Sequence, residues 1–177
     1  MDPRLHRLQG KAKGVRPTDL AALLQECYRD RLALVERHRA VAVHLTPYDV
    51  NNTYQYVINR EETHLEWLAA ALADLDTPLP APADGPSITV GRGKDAWKAL
   101  VLDDAAAGAA FVDKWRPRVD SLTHARNQTM LRLMLGEVQE QTRLMEQGAH
   151  GEPDLLGRGG EGAGMRGVVA GARWLGD

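Results

Sequence analysis

The sequence predicts an all-α protein, an up-down four-helix bundle followed by an extended glycine-rich C-terminal tail. Three observations carry this. Four stretches place their apolar residues at steps of 4 and 3, the spacing that lines one face of an α-helix. Aromatic residues make up only 5% of the 177-residue chain while Ala, Leu, Arg and Glu abound, a composition that favours helix over sheet. One proline-rich interval separates the stretches into two pairs and is long enough to run the length of a bundle.

Residues 1–16, with Gly10 and Gly14 among Arg4, Arg7, Lys11 and Lys13, read as a flexible basic arm. The bundle is expected over residues 17–148. Its first helix opens at Pro17-Thr18-Asp19, where Thr18 or Asp19 can cap it. Its inward stripe is Leu24, Cys27, Arg31, Leu34, His38 and Val41, and it runs to about His44. Thr46-Pro47 ends it, because the residue before a proline is pushed out of the α region. The second helix, Tyr48 to Leu75, follows at once with Asp49 in its first turn, and so short a link makes an antiparallel hairpin.

Thr77 to Gly93, with Pro78, Pro80, Pro82 and Pro86, breaks the pattern and reads as a partly polyproline-like connection. A link of this kind joins parallel neighbours across the bundle. The third helix is expected from about Lys94 to Trp115, with Trp97, Val101, Asp104, Gly108, Phe111 and Trp115 in step. Leu102-Asp103-Asp104 reads alternatively as a break with a fresh cap. Arg116-Pro117 ends or kinks this helix, and Asp120 or Ser121 caps the fourth, which continues to about Gln147. Its stripe is Leu122, Arg126, Met130, Leu133, Glu137, Glu140 and Leu144, with Gly148 as the C-terminal stop. Residues 149–177 form the glycine-rich tail, with Trp174 and Leu175 as the anchor to its own bundle or to a partner.

Several function classes are disfavoured. A formal charge of −2 gives no general pull toward nucleic acid or anionic lipid. The single cysteine, Cys27, rules out an internal disulfide and suits a reducing cytoplasm; on its stripe it reads as a small hydrophobe. No run of apolar residues is long enough to span a membrane, and Met1 to Val15 lacks the apolar region of a signal peptide. A cytoplasmic location is expected. Gly91-Arg92-Gly93 and Gly157-Arg158-Gly159-Gly160 do not complete a phosphate loop, and no Ser/His/Asp or Cys/His set suggests a covalent nucleophile.

The chemistry lies in Glu61-Glu62-Thr63-His64. The stepping Val50, Tyr54, Val57, then Leu68, Ala71, Leu75 puts Glu61 and His64 on the core-facing side of the second helix. A buried carboxylate and imidazole are costly unless paired, hydrogen-bonded or bound to metal. With four helices and a long middle crossover, this inward Glu-x-x-His resembles the ferritin-like carboxylate proteins, the superfamily of rubrerythrin and bacterioferritin. The resemblance covers about residues 18 to 147. It implies two iron or manganese ions between the helices, held by single glutamates from two helices and a Glu-x-x-His from each of the others. It also implies oxidoreductase chemistry on oxygen, peroxide or iron.

Carried over by position, the metal ligands implied are Glu61, His64, Asp104, Glu137 and Glu140, with Glu36 or His38 from the first helix. The match departs in three places. Glu140 stands where a second histidine belongs, Asp104 is shorter than Glu, and Arg31 occupies the first-helix ligand position. The same residues therefore support a second reading, in which Arg31, Arg126 or Arg143 neutralises Glu61, Glu137 and Glu140 in a buried ionic network. The protein would then be an accessory or interaction subunit, with a protein partner or a second copy held through the tail. A third reading places an apolar ligand between Trp67, Trp97 and Trp115. His38 reads as a hydrogen-bonded core histidine, and His44 and His124 as solvent-facing.

Overall fold

The computed structural model describes residues 17–82 and 85–157. The expectations for the basic arm and for Trp174 and Leu175 lie outside these residues. Four α-helices make up the regular structure: α1 (Pro17–Ala42), α2 (Tyr48–Ala73), α3 (Ala96–Asp120) and α4 (Ala125–His150). No strand occurs among the described residues.

The α1–α2 hairpin forms where Thr46-Pro47 was expected to set it. The last turn of α1 tightens through His44 N–H to the Val41 carbonyl (2.9 Å) and Leu45 N–H to that of Ala42 (3.2 Å). The Asn51 side-chain amide then donates to the same Ala42 carbonyl, tying the start of α2 to the end of α1 (3.2 Å).

Two apolar clusters fix the helix directions. One gathers Leu20, Leu24 and Cys27 of α1, Leu68 and Leu72 of α2, Trp115 and Val119 of α3, and Leu131 and Met134 of α4. The other gathers Val41, Val50, Tyr54, Trp97, Val101 and Met145. The start of α1 thus lies with the ends of α2 and α3 and the start of α4, so the helices run up, down, down, up. The packed pairs are α1–α2, α2–α4, α3–α4 and α1–α3. The long link therefore joins parallel helices, as expected, but α2 and α3 lie on a diagonal and are not neighbours. Tertiary packing decides this, since α4 fills the place beside α2.

Three local expectations need correction. Leu102-Asp103-Asp104 is not a break: α3 is continuous through it. Pro117 sits inside the last turn of α3, which continues to Asp120. Its free carbonyls are met from α4 by the Gln128 amide, which donates to Val119 and Asp120 (3.2 Å each) and Leu122 (3.0 Å). The fourth helix starts at Ala125, capped by His124, whose Nδ1 accepts from the Asn127 N–H (3.4 Å). It runs past Gly148 to His150 and stops at Gly151, whose φ of 81° is the left-handed conformation that glycine supplies at least cost.

Most of the buried face of α4 is one position out of phase with expectation, although Leu122 and Leu144 are buried as expected. Asn127, Leu131, Met134, Val138, Gln141 and Met145 face inward. Leu133, expected inside, is 53% exposed. Inside α3, Gly108 lets that helix approach α4: a Cβ there would lie 2.7 Å from Thr142 Oγ1.

A buried polar network as candidate functional site

The two apolar clusters are separated by a polar layer. Arg31 and His38 of α1, Glu61 and His64 of α2, and Asp104 of α3 are all buried. Each lies on the stripe the sequence assigned to it. Three helices place charged or polar side chains where apolar packing would suffice, so the pairing of these groups decides what the layer can do.

Arg31 is central. Its Nη1 lies 3.1 Å from Glu61 Oε1, an ion pair with no exposed surface on either side chain. The angles do not complete a hydrogen bond there, and both atoms lack a hydrogen-bond partner among the described residues. The attraction is therefore chiefly that of opposite charges. Arg31 Nη2 donates to His64 Nδ1 (2.7 Å). A guanidinium has no acceptor, so His64 must carry its proton on Nε2, and that nitrogen donates to Glu137 Oε2 (3.0 Å). Burial foremost, then the Arg31 charge, pushes the His64 pKa down to about 4. His64 is a neutral spacer between a cation and a carboxylate.

On its other side, Glu61 Oε2 accepts from His38 Nδ1 (2.6 Å). His38 Nε2 points toward Asp104 Oδ1 but stays 3.7 Å away, beyond hydrogen-bonding distance. Asp104 instead accepts from the Tyr54 hydroxyl (2.9 Å) and from Arg37 Nε (2.9 Å). Burial raises the Asp104 pKa, while His38, Tyr54 and Arg37 oppose that shift. The Tyr54–Asp104 bond joins α2 to α3 across the bundle diagonal. At the α4 end, Glu137 is half-buried and takes two hydrogen bonds from Arg60 (2.6 and 3.1 Å). Burial would raise its carboxyl, but the Arg60 bonds and His64 hold it below the usual carboxylate range. Three carboxylates, Glu61, Asp104 and Glu137, thus meet three guanidinium groups, Arg31, Arg60 and Arg37.

The expected ligand residues separate into two groups. Glu61, His64, Asp104 and, at the edge, Glu137 belong to the layer, as does His38. Glu140 and Glu36 do not. Glu140 is exposed and paired with Arg143 on its own helix, and Glu36 is paired with Arg39 at the surface. The phase of α4 explains the first: its inward residues at this level are Val138 and Gln141. Of the arginines proposed to neutralise the layer, Arg31 does so. Arg126 instead binds Asp74 at the surface (3.0 Å), and Arg143 binds Glu140. The tryptophan cage does not form, because Trp97 lies in one apolar cluster and Trp115, with Trp67 against it, in the other. His44 and His124 are exposed, as expected.

Metal binding meets an obstacle in the donor set. The motif residues Glu61 and His64 both turn to Arg31, whose guanidinium occupies the ground between them. Among the described residues no three His, Cys, Asp or Glu side chains are grouped to hold a metal ion. The residues as arranged do not fit a carboxylate di-metal centre. Arg37, Arg60 and Tyr54 were absent from the sequence-based site. Tyr54 carried a signal, being on the Glu61 stripe, but its length suggested packing. Arg60 stands beside Glu61 in sequence and only the bundle brings it to Glu137.

Fold and layer together define a four-helix bundle with a buried, charge-balanced ionic network. No protein-family model matches the chain, and neither does any curated protein or solved structure. Among the described residues no helix is long and apolar enough to cross a membrane.

Proposed function

We propose that this chain is a metal-free, ferritin-like bundle acting as an accessory or interaction subunit. The observation that carries this reading is the buried Arg31, which engages both Glu61 and His64 at the position where the resemblance calls for a carboxylate ligand. The inward pair Val138 and Gln141 adds support, since an alkyl group and a neutral amide stand where α4 would supply Glu and His. The up, down, down, up order with its long α2–α3 link supports the ferritin-like assignment. In this proposal partner or self-association runs through the C-terminal tail in the cytoplasm.

A di-iron or di-manganese oxidoreductase remains the second reading. What favours it is that Glu61, His64, His38 and Asp104 are buried in one layer of the bundle. Metal content by elemental mass spectrometry separates the two, with protein produced in iron, manganese and zinc and compared with Glu61→Ala. The interaction reading expects substoichiometric metal in both proteins and an unchanged melting curve after chelation. Roughly one to two equivalents of iron or manganese, lost in the variant, would establish the second reading. Removing residues 158–177 is expected to abolish association in light scattering while leaving helicity intact; retained association rules out the tail as the contact.

A further inference from the structure

The four helices divide into two hairpins, α1–α2 and α3–α4, and each packs more closely within itself than against the other. Two cavities lie along the seam between them. One of about 580 Å³ separates α2 from α4 beside Tyr56, Arg60 and Leu144, and one of about 330 Å³ separates α1 from α3 over Leu34 and Phe111. Many of the bonds that cross the seam are ion pairs near solvent. From α3, Lys114 pairs with Glu26 (3.0 Å) and Asp30 (2.6 Å) of α1, and Arg118 donates twice to Glu26 (2.7 and 2.6 Å). On the opposite side Arg126 of α4 pairs with Asp74 at the end of α2 (3.0 Å). Glu26, Lys114, Arg118, Asp74 and Arg126 are each at least a third exposed. Ion pairs in such surroundings contribute little and are screened by salt. The Arg31–Glu61 pair, by contrast, is fully buried inside one hairpin.

The chain joins the hairpins once, through residues 74–95. Fully extended, a segment of this length reaches roughly 70 Å, whereas α2 with its 26 residues is about 40 Å long. The link therefore lets the hairpins part without unwinding α2 or α3. We propose that the bundle opens reversibly along this seam as two intact hairpins, and that ionic strength sets how often it does so. The Tyr54–Asp104 and His64–Glu137 bonds also cross the seam, at its centre, and keep the open form a minor one. Opening uncovers the apolar clusters that the hairpins share. In one, Leu24 and Leu68 lie with Trp115 and Leu131; in the other, Val41 and Tyr54 lie with Val101 and Met145. The closed bundle hides this surface.

The chain carries its own probe. Cys27, its single cysteine, is 2% exposed and belongs to the first of these clusters. The test follows its alkylation by iodoacetamide in the full chain, by mass spectrometry, with rates normalised to a free thiol in the same buffer. The normalised rate is expected to rise about threefold or more between about 20 and about 500 mM sodium chloride. Its dependence on urea should be shallower than that of global unfolding, because two intact hairpins expose less surface than an unfolded chain. Two charge reversals then locate the opening. Lys114→Glu breaks pairs that cross the seam and is expected to speed labelling about three- to tenfold. Arg132→Glu breaks the pair with Asp120, which lies within α3–α4 and stays made in the open form, and should change the rate by less than about twofold. Wild-type labelling that ignores salt, or that follows urea as steeply as global unfolding, overturns the proposal, and so does equal acceleration by the two variants.

Discussion

Arg31 and Glu61 face each other at 3.1 Å with no solvent-exposed surface on either side chain. Each is the other's principal charge compensation. The Phe111 ring, 5.5 Å from the Arg31 guanidinium carbon, closes the remaining side of the cation with its electron-rich face.

Deleting one member leaves a buried charge alone. Arg31→Leu and Glu61→Leu are each expected to destabilise the fold by about 3–5 kcal/mol in urea denaturation. The double variant should lose much less than the sum, because it removes both desolvation penalties together. Additive losses would mean that the pair is not coupled.

Acid should weaken the fold through His64. Its pKa is about 4 in the native state against 6.5 unperturbed, so between these values the unfolded chain binds a proton that the native chain excludes. Stability therefore falls as pH drops through this window, by roughly 2 kcal/mol between pH 7 and pH 5. Asp104, raised by burial, acts in the opposite direction near its own titration. Comparing wild type with His64→Gln at both pH values isolates the histidine. Equal losses in the two proteins would remove His64 from the account.

The diagonal bond from Tyr54 to Asp104 offers a conservative deletion. Tyr54→Phe keeps the ring in its cluster and removes only the hydroxyl, leaving a buried carboxylate one donor short. A loss of about 1–3 kcal/mol is expected. A change below a few tenths of a kcal/mol in chemical denaturation would show that Arg37 alone satisfies Asp104.

At Gly108 two effects oppose. Alanine is the better helix former by about 1 kcal/mol, but its Cβ would meet Thr142 Oγ1 at 2.7 Å. That hydroxyl also donates to the Val138 carbonyl (2.9 Å) and moves only by giving up the bond. Gly108→Ala is expected to lower the melting temperature, and adding Thr142→Ala to raise it above that of the single variant. No rescue by the second substitution would locate the clash elsewhere.

Cys27 supplies a kinetic check. Burial pushes its thiol up to about 12, so native protein should resist iodoacetamide. Labelling is expected only at the rate of opening, and rapid alkylation of folded protein would contradict the packing around α1.

Much of this molecule was legible in the chain. The stripes of α1, α2 and α3 were right except at Leu75, which lies past the end of α2 and is only partly buried, because apolar side chains stepping 4 and 3 can share a face only in a helix. They therefore placed Arg31, His38, Glu61, His64 and Asp104 inside. The fourth helix misled because Leu122, Met130 and Leu133 offered one phase, while Leu131, Met134 and Val138 offered another about 100° away. Both satisfy the same arithmetic, and only the position of α3 and α2 against α4 selects between them. That choice sent Glu140 to the surface and Gln141 to the interior.

What the sequence determined by itself is local: four helices, the hairpin at Thr46-Pro47, and which charged residues must be buried on three of them. Periodicity and proline sterics suffice for those. What the tertiary structure decided is pairing. A charge on one helix cannot specify whether it meets a metal, an arginine or an imidazole on another, since Coulomb energy depends on distances that exist only after packing. Arg31 set between Glu61 and His64, Arg60 brought to Glu137, and Tyr54 reaching Asp104 across the diagonal are all consequences of that packing.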